Sequence, residues 1–168
     1  MGLCYKQNNE QKSSLELFSD AVYATDCSRA STTGSLIRYH GATISWTSRL
    51  QSSVAEGSAE AELRSLTKGA RESLFIVRLQ EDILGKFELP ILAYEDNHAT
   101  YQNCGTNVLN SRLKHLETFL FKVNEYVKRG IMKLILVGTL QQLADVLTKP
   151  LPEQLFTQLI NQILFDGN

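Results

Sequence analysis

A change of apolar period at residue 58 constrains the fold of this chain more than any other feature. Before it, apolar residues come in short runs of strand character. Leu15-Glu16-Leu17-Phe18 half-alternates and runs into Ser19-Asp20, residues 35–39 form a second strand, and residues 42–48 set Ile44 and Trp46 against polar neighbours as a third. A turn-rich stretch at 26–34 separates the first two, and His40-Gly41 is a tight hairpin turn between the second and third. After residue 58, Leu63, Leu66, Ala70, Leu74 and Val77 recur at steps of three and four. That spacing marks one face of an amphipathic helix reaching Leu84, where Gly85 is a natural stop. Ile91-Leu92-Ala93-Tyr94 then suits a strand buried on both faces. Strand, long helix and buried strand make a βαβ crossover, so part of the sheet is expected to be parallel.

The second half alternates helix and strand. A short helix or turn is expected at 97–103, a helix at about 114–128 closed by Gly130, a strand at 132–137 and a helical stretch at 140–147. Pro150 and Pro152 end that stretch, and Leu155, Leu159, Ile160 and Ile163 mark a terminal amphipathic helix over 153–164. The order implies an α/β fold: a mixed five-stranded sheet, three antiparallel strands followed by parallel crossovers, flanked by helices. The expected division is a polar tether at 1–14, one domain at 15–150 and a C-terminal amphipathic helix at 151–168.

Several classes are disfavoured. No apolar run approaches the roughly 20 residues of a membrane span, and the opening Gly-Leu-Cys-Tyr-Lys has no secretory core, so a chain kept inside the cell is expected. Cys4, Cys27 and Cys104 are too few and too scattered for a disulfide framework or zinc site. A net charge of -1 means that any nucleic-acid binding must come from a local basic patch or from bound cations.

Carboxylates fall where a site is expected. Asp20 closes the first strand and Asp96 the fourth, and crevices form at the carboxyl ends of strands in α/β sheets. Glu62, beside the apolar stripe in the early turns of the long helix, can point toward the same sheet end. Taken singly, each is as readily a turn former, a cap or a solvated charge. Together, like charges need a counter-charge, and oxygen-only ligation suits magnesium or manganese better than zinc. Two such ions clamp the attacking and leaving oxygens of a phosphoryl transfer.

Five ordered blocks carry a family resemblance: Phe18-Ser19-Asp20-Ala21; Ser31-Thr32-Thr33-Gly34 with Ile44-Ser45-Trp46; Ala59-Glu60-Ala61-Glu62-Leu63; Glu95-Asp96-Asn97-His98-Ala99; and residues 142–152, with Leu-Thr-Lys-Pro-Leu-Pro at their end. The stretch from Leu15 to Pro152 resembles the ribonuclease H domain of copia-type retrotransposon Pol polyproteins. The resemblance implies hydrolysis of the RNA strand of an RNA–DNA hybrid during reverse transcription, with two Mg2+ ions (or Mn2+) held by Asp20, Glu62, Asp96 and Asp145. Asp20 would bridge both ions, Glu62 and Asp96 would hold one, and Asp145 the other. Asp145 follows from the resemblance alone; by residue type and place it reads as a solvated helix residue. Glu60 reads as an exposed helix charge.

The resemblance also implies the hybrid as partner, with the reverse transcriptase of the same polyprotein beside it, and a cytoplasmic (virus-like particle) or nuclear setting. The opening residues resemble the tail of the segment joining polymerase to nuclease, so a chain starting there is expected to lack the other Pol domains. Asn97 is a candidate for the RNA strand or simply a helix cap, and Arg112, Lys114 and Lys149 are candidate phosphate contacts. Val22 and Tyr23 stand where the family commonly has Asp and Trp, which predicts altered packing. None of His40, His98 and His115 lies between residues 116 and 145, where cellular relatives carry an assisting histidine, and His115 is expected to be structural. The alternative reading is a catalytically silent or co-opted nucleic-acid-binding module; a third is a generic nuclease or transposase of the wider superfamily.

Overall fold

The first half of the chain is an antiparallel meander of β1 (Leu15–Val22), β2 (Thr32–Tyr39) and β3 (Ala42–Leu50), seen in a computed structural model that describes residues 2–3, 15–24, 29–105 and 117–164. His40 and Gly41 turn β2 into β3 with φ of 50° and 77°, the left-handed pair that a two-residue hairpin of matching twist requires. Helix α1 (Ser58–Leu84) crosses to β4 (Ile91–Glu95), and α2 (His98–Gly105) and α3 (Glu117–Lys128) lead to β5 (Met132–Leu136). β4 pairs parallel with both β1 and β5, so the sheet order is β3-β2-β1-β4-β5. Two 3₁₀ helices (Thr139–Gln141 and Leu143–Leu147) and helix α4 (Glu153–Ile163) follow.

Alternation along β1 sorts the core into two layers. Leu15 and Leu17 join Leu63, Leu66, Ala93 and Met132 under α1 and α3, while Phe18 packs with Leu36, Leu143 and Leu159 under the second 3₁₀ helix and α4. Each fully buried leucine stabilises by about 1.5–3 kcal/mol. Gly69 lets α1 lie close on the sheet, because a Cβ there would stand 2.6 Å from Leu17 Cδ1.

Three departures from the expected extents bear on the site. β1 continues to Val22, which places Asp20 inside the strand, and β2 begins at Thr32 because residues 32–34 pair with both β1 and β3. Non-local pairing of this kind leaves no local signal. The stretch at 140–147 is two tight 3₁₀ turns broken at Gln142 instead of one helix. The expected tether at 4–14 and the expected start of α3 at 114–116 lie outside the described residues.

Candidate active site at the sheet end

Parallel pairing sets Phe18 of β1 opposite Tyr94 of β4, and their rings stack at 4.4 Å. Two residues beyond each ring come Asp20 and Asp96, so the register alone brings both to one end of the sheet. Glu62 approaches from α1, on the other layer, and its Oε2 accepts a hydrogen bond from the amide of Ala21 at 2.7 Å. Ser65, one turn further along α1, donates to the carbonyls of Asp20 (2.8 Å) and Gly34 (3.0 Å), fixing the helix to β1 and β2 beside the site. The result is a carboxylate oxygen from each of Asp20, Glu62 and Asp96, all within 4.8 Å of one another.

The C-terminal segment adds a fourth carboxylate. Asp145 is fully buried on the second 3₁₀ helix, which corrects its reading as a solvated helix residue. Lys149 Nζ lies 2.9 Å from Asp20 Oδ1 and 2.9 Å from Asp145 Oδ1, while Thr148 Oγ1 donates to the other oxygen of Asp20. Gly34, opposite Asp20 on β2, makes room for this segment. A Cβ at Gly34 would stand 2.5 Å from Thr148 Cγ2 and 3.1 Å from the Ala144 carbonyl oxygen. Gln142 ties the same segment to the sheet by donating to the carbonyls of Ser19 (3.0 Å) and Tyr94 (3.3 Å).

Electrostatics at this end are unfavourable for so many anions. Burial first, then the charges of Glu95, Asp20 and Asp96, push the Glu62 carboxyl up to about 10. Burial likewise raises Asp96, with Asp20 adding to it, and lifts Asp145 to about 6 despite its hydrogen bond from Lys149. For Lys149 burial alone would lower the ammonium, but the hydrogen bonds to Asp20 and Asp145 prevail and raise it. Glu95, fully buried on the α1 side of β4, is a further carboxylate whose role the sequence reading did not recognise, and burial pushes it up to about 8. Bound protons thus stand in for positive charge that, among the described residues, only Lys149 supplies by direct pairing. The donor set fits hard divalent cations: the oxygens converge, none is sulfur or nitrogen, and the buried Asp145 Oδ2 has no hydrogen-bond partner.

Other candidates are placed differently. Glu60 is buried, contrary to its reading as an exposed charge; it pairs with Arg64 at 2.5 Å and accepts from the amide of Glu56. Asn97 Oδ1 caps α2 by accepting from the amide of Thr100 at 2.9 Å. Both Lys149 contacts are carboxylates, in place of an outward phosphate-facing ammonium. Arg112, Lys114 and His115 lie outside the described residues. Sequence reasoning missed Ser65, Glu95 and Gln142; polar residues inside otherwise apolar stretches were the available signal for them. It also missed a basic groove of about 380 Å³ that includes Thr33, Arg49, Arg64, Lys68, Arg71 and Phe119. Thr33, on the lining of the groove, pairs with Ala21, the residue after Asp20.

A five-stranded sheet in this order, with acidic residues gathered near the carboxyl ends of the adjacent parallel strands β1 and β4, defines a ribonuclease H-type domain. Solved structures agree on the fold. LC11-RNase H1, isolated from compost by a metagenomic approach, superposes with a TM-score of 0.63 at 13% identity over 82% of this chain and 94% of that one. Its complex with an RNA/DNA hybrid gives 0.60 at 12% identity, over 80% and 93%. No family model matches the chain. The retrovirus-related Pol polyprotein from transposon RE1 of Arabidopsis thaliana is 33% identical over 163 residues, and that from transposon TNT 1-94 of Nicotiana tabacum is 30% identical over 143 residues, covering 96% and 84% of this chain. The chain is a relative of these transposon Pol polyproteins and corresponds to a segment of 11% of their length.

Proposed function

We propose that this domain is a metal-dependent endoribonuclease that hydrolyses the RNA strand of RNA–DNA hybrids in retrotransposon reverse transcription, working beside the polymerase of the same polyprotein. The observation that carries this reading is the convergence of Asp20, Glu62 and Asp96 oxygens within 4.8 Å. Asp20, Glu62, Asp96 and Asp145 would hold Mg2+ or Mn2+, with Asp20 shared. Such ions supply an activated water and charge stabilisation for in-line displacement at phosphorus. The protein's own part is positioning: Ala21 NH and Ser65 orient Glu62 and the end of β1, and Gln142 locks β1 to β4.

Binding a polyanion requires positive charge beside the acidic end. Arg49, Lys68 and Arg71 supply it in the groove, and Phe119 offers an apolar wall. Asn97, its carbonyl oxygen engaged in the α2 cap, retains its amide group for the RNA strand. The related LC11-RNase H1, solved with an RNA/DNA hybrid, supports hybrid as the substrate class.

The test is cleavage of a labelled hybrid with Mg2+ or with a chelator, for the unmutated chain and Asp96→Asn. Cleavage that needs the metal and disappears in the variant is expected. Hybrid binding without cleavage by the unmutated chain would instead support the silent binding module.

A further inference from the structure

The ammonium of Lys149 stands where a cation is needed. It lies 2.9 Å from one oxygen each of Asp20 and Asp145, and it is the only cationic group among the described residues paired with either. The Lys149 amide also bonds to the Asp145 carbonyl at 3.0 Å, so backbone and side chain together fold the residue back over the 3₁₀ helix. Asp20 meets this segment with both oxygens, Oδ1 on Lys149 and Oδ2 on Thr148. Asp145 gives Oδ1 to Lys149 and leaves Oδ2 without a partner. Glu62 and Asp96, the other two members of the acidic cluster, are paired with no lysine or arginine among the described residues and feel Lys149 only at longer range.

We propose that Lys149 is a built-in counter-ion occupying the Asp20–Asp145 cation position. The isolated chain then binds one divalent ion tightly, on Asp20, Glu62 and Asp96, and a second only by expelling the ammonium. The proposal rests on the nuclease reading above and deepens it, since it states how the two ion positions differ. Charge counting favours it. Four carboxylates are nearly balanced by one divalent ion and Lys149, and fully balanced by two divalent ions with Lys149 outside. The expelled side chain has somewhere to go: it is 29% exposed, and its four-carbon stem can carry the ammonium to solvent or to an arriving phosphate. Substrate would thereby open the second ion position, coupling its filling to hybrid binding.

Mn2+ binding, followed by the EPR signal of the free ion, tests this without reference to catalysis. For the unmutated chain we expect one strong ion and a second weaker by roughly 10- to 100-fold, the scale of one charge-assisted hydrogen bond. Lys149→Met keeps the stem without the charge and should tighten the second ion toward the first, whereas Lys149→Arg should leave it weak. Two equally strong ions in the unmutated chain, or a second ion indifferent to Lys149→Met, would overturn the proposal alone. No Mn2+ binding sensitive to Asp96→Asn would sink the metal-nuclease reading and the proposal with it. A measurement on the unmutated chain covers any misfolding of the variants. Acetylation of Lys149, compared by peptide mass spectrometry with exposed Lys133, should accelerate on raising Mg2+ to fill the second position. An unchanged or slower rate speaks against expulsion.

Discussion

Replacing Gly34 by Ala tests whether the C-terminal segment is seated by the space that this glycine leaves. The added Cβ would stand 2.5 Å from Thr148 Cγ2, 3.1 Å from the Ala144 carbonyl oxygen and 3.2 Å from Leu147 Cβ. Carbon atoms rest at about 3.5–4.0 Å, so the segment must retreat by roughly 1 Å. Thr148 cannot rotate away cheaply, because its hydroxyl is engaged on Asp20 and its Cβ is branched. Overpacking of this kind costs about 1–3 kcal/mol, which for a chain of this size lowers Tm by several degrees, about 2–4 °C per kcal/mol. The retreat carries Asp145 and Lys149 with it, and a misplacement near 1 Å can reduce catalysis on the order of 100-fold. Gly69→Ala is the control. The three atoms nearest its Cβ all belong to the Leu17 side chain, and a helix-propensity gain of about 1 kcal/mol offsets the repacking. Thermal unfolding and hybrid cleavage would be measured for both variants. Gly34→Ala should lose both stability and cleavage, Gly69→Ala neither to the same degree. A Gly34→Ala protein that melts and cleaves like the parent would refute the packing argument.

Glu62 and Glu95 hold protons in the folded state that the unfolded chain releases above about pH 4.5, so metal-free stability is fullest below that pH and is lost as pH rises through about 8 for Glu95 and about 10 for Glu62. Each retained proton contributes a slope of about 1.4 kcal/mol per pH unit. Urea midpoints in chelator should fall from pH 6 to 8, and Mg2+ should flatten the trend; midpoints that rise with pH would contradict it. Gln142→Leu removes two hydrogen bonds that join β1 to β4 and one to the Ala144 amide, and should cost about 1–3 kcal/mol while slowing cleavage. Parental melting and activity would show that the bridge is idle. Lys68→Ala and Arg71→Ala should weaken hybrid binding at low salt and each reduce the salt slope by about one. Fluorescence anisotropy across a salt series reads this directly, and an unchanged slope would remove the groove from the interface.

What the chain revealed before folding depended on whether the determinant was local. Asp20 and Asp96 were legible because each ends an apolar run and parallel strands expose their carboxyl ends together. Glu62 was legible from its place beside a helical stripe. Asp145 was not: it sits on a single 3₁₀ helix, too short to show a period, and its neighbours Ala144 and Leu147 are seated on Gly34 and Phe18, more than a hundred residues earlier. Lys149 read as a surface cation because lysine usually is one; only the fold brings it onto Asp20. Glu60 failed for the same reason, since Arg64 and the backbone of Glu56 neutralise it in three dimensions.

A site of this composition works against the fold that holds it. Two apolar layers clamp β1 from both sides, and that clamping forces Asp20 next to Asp96 and Glu62 whatever their charges prefer. Without added cations the strain is relieved in two ways, by protons on Glu62 and Glu95 and by the ammonium of Lys149. Both reliefs are reversible: under the proposed function a first ion would displace the Glu62 proton, and a second would displace the ammonium. Ion binding would therefore be coupled to folding stability, rising as RT ln(1 + [L]/Kd) with free ion concentration, and to proton release as pH falls toward the raised carboxyl values. A fold that had neutralised these carboxylates permanently, with arginines for instance, would be more stable and would have no place for an ion. The single lysine is a compromise between those states: enough charge to let the segment close on Asp20, on a stem long enough to leave.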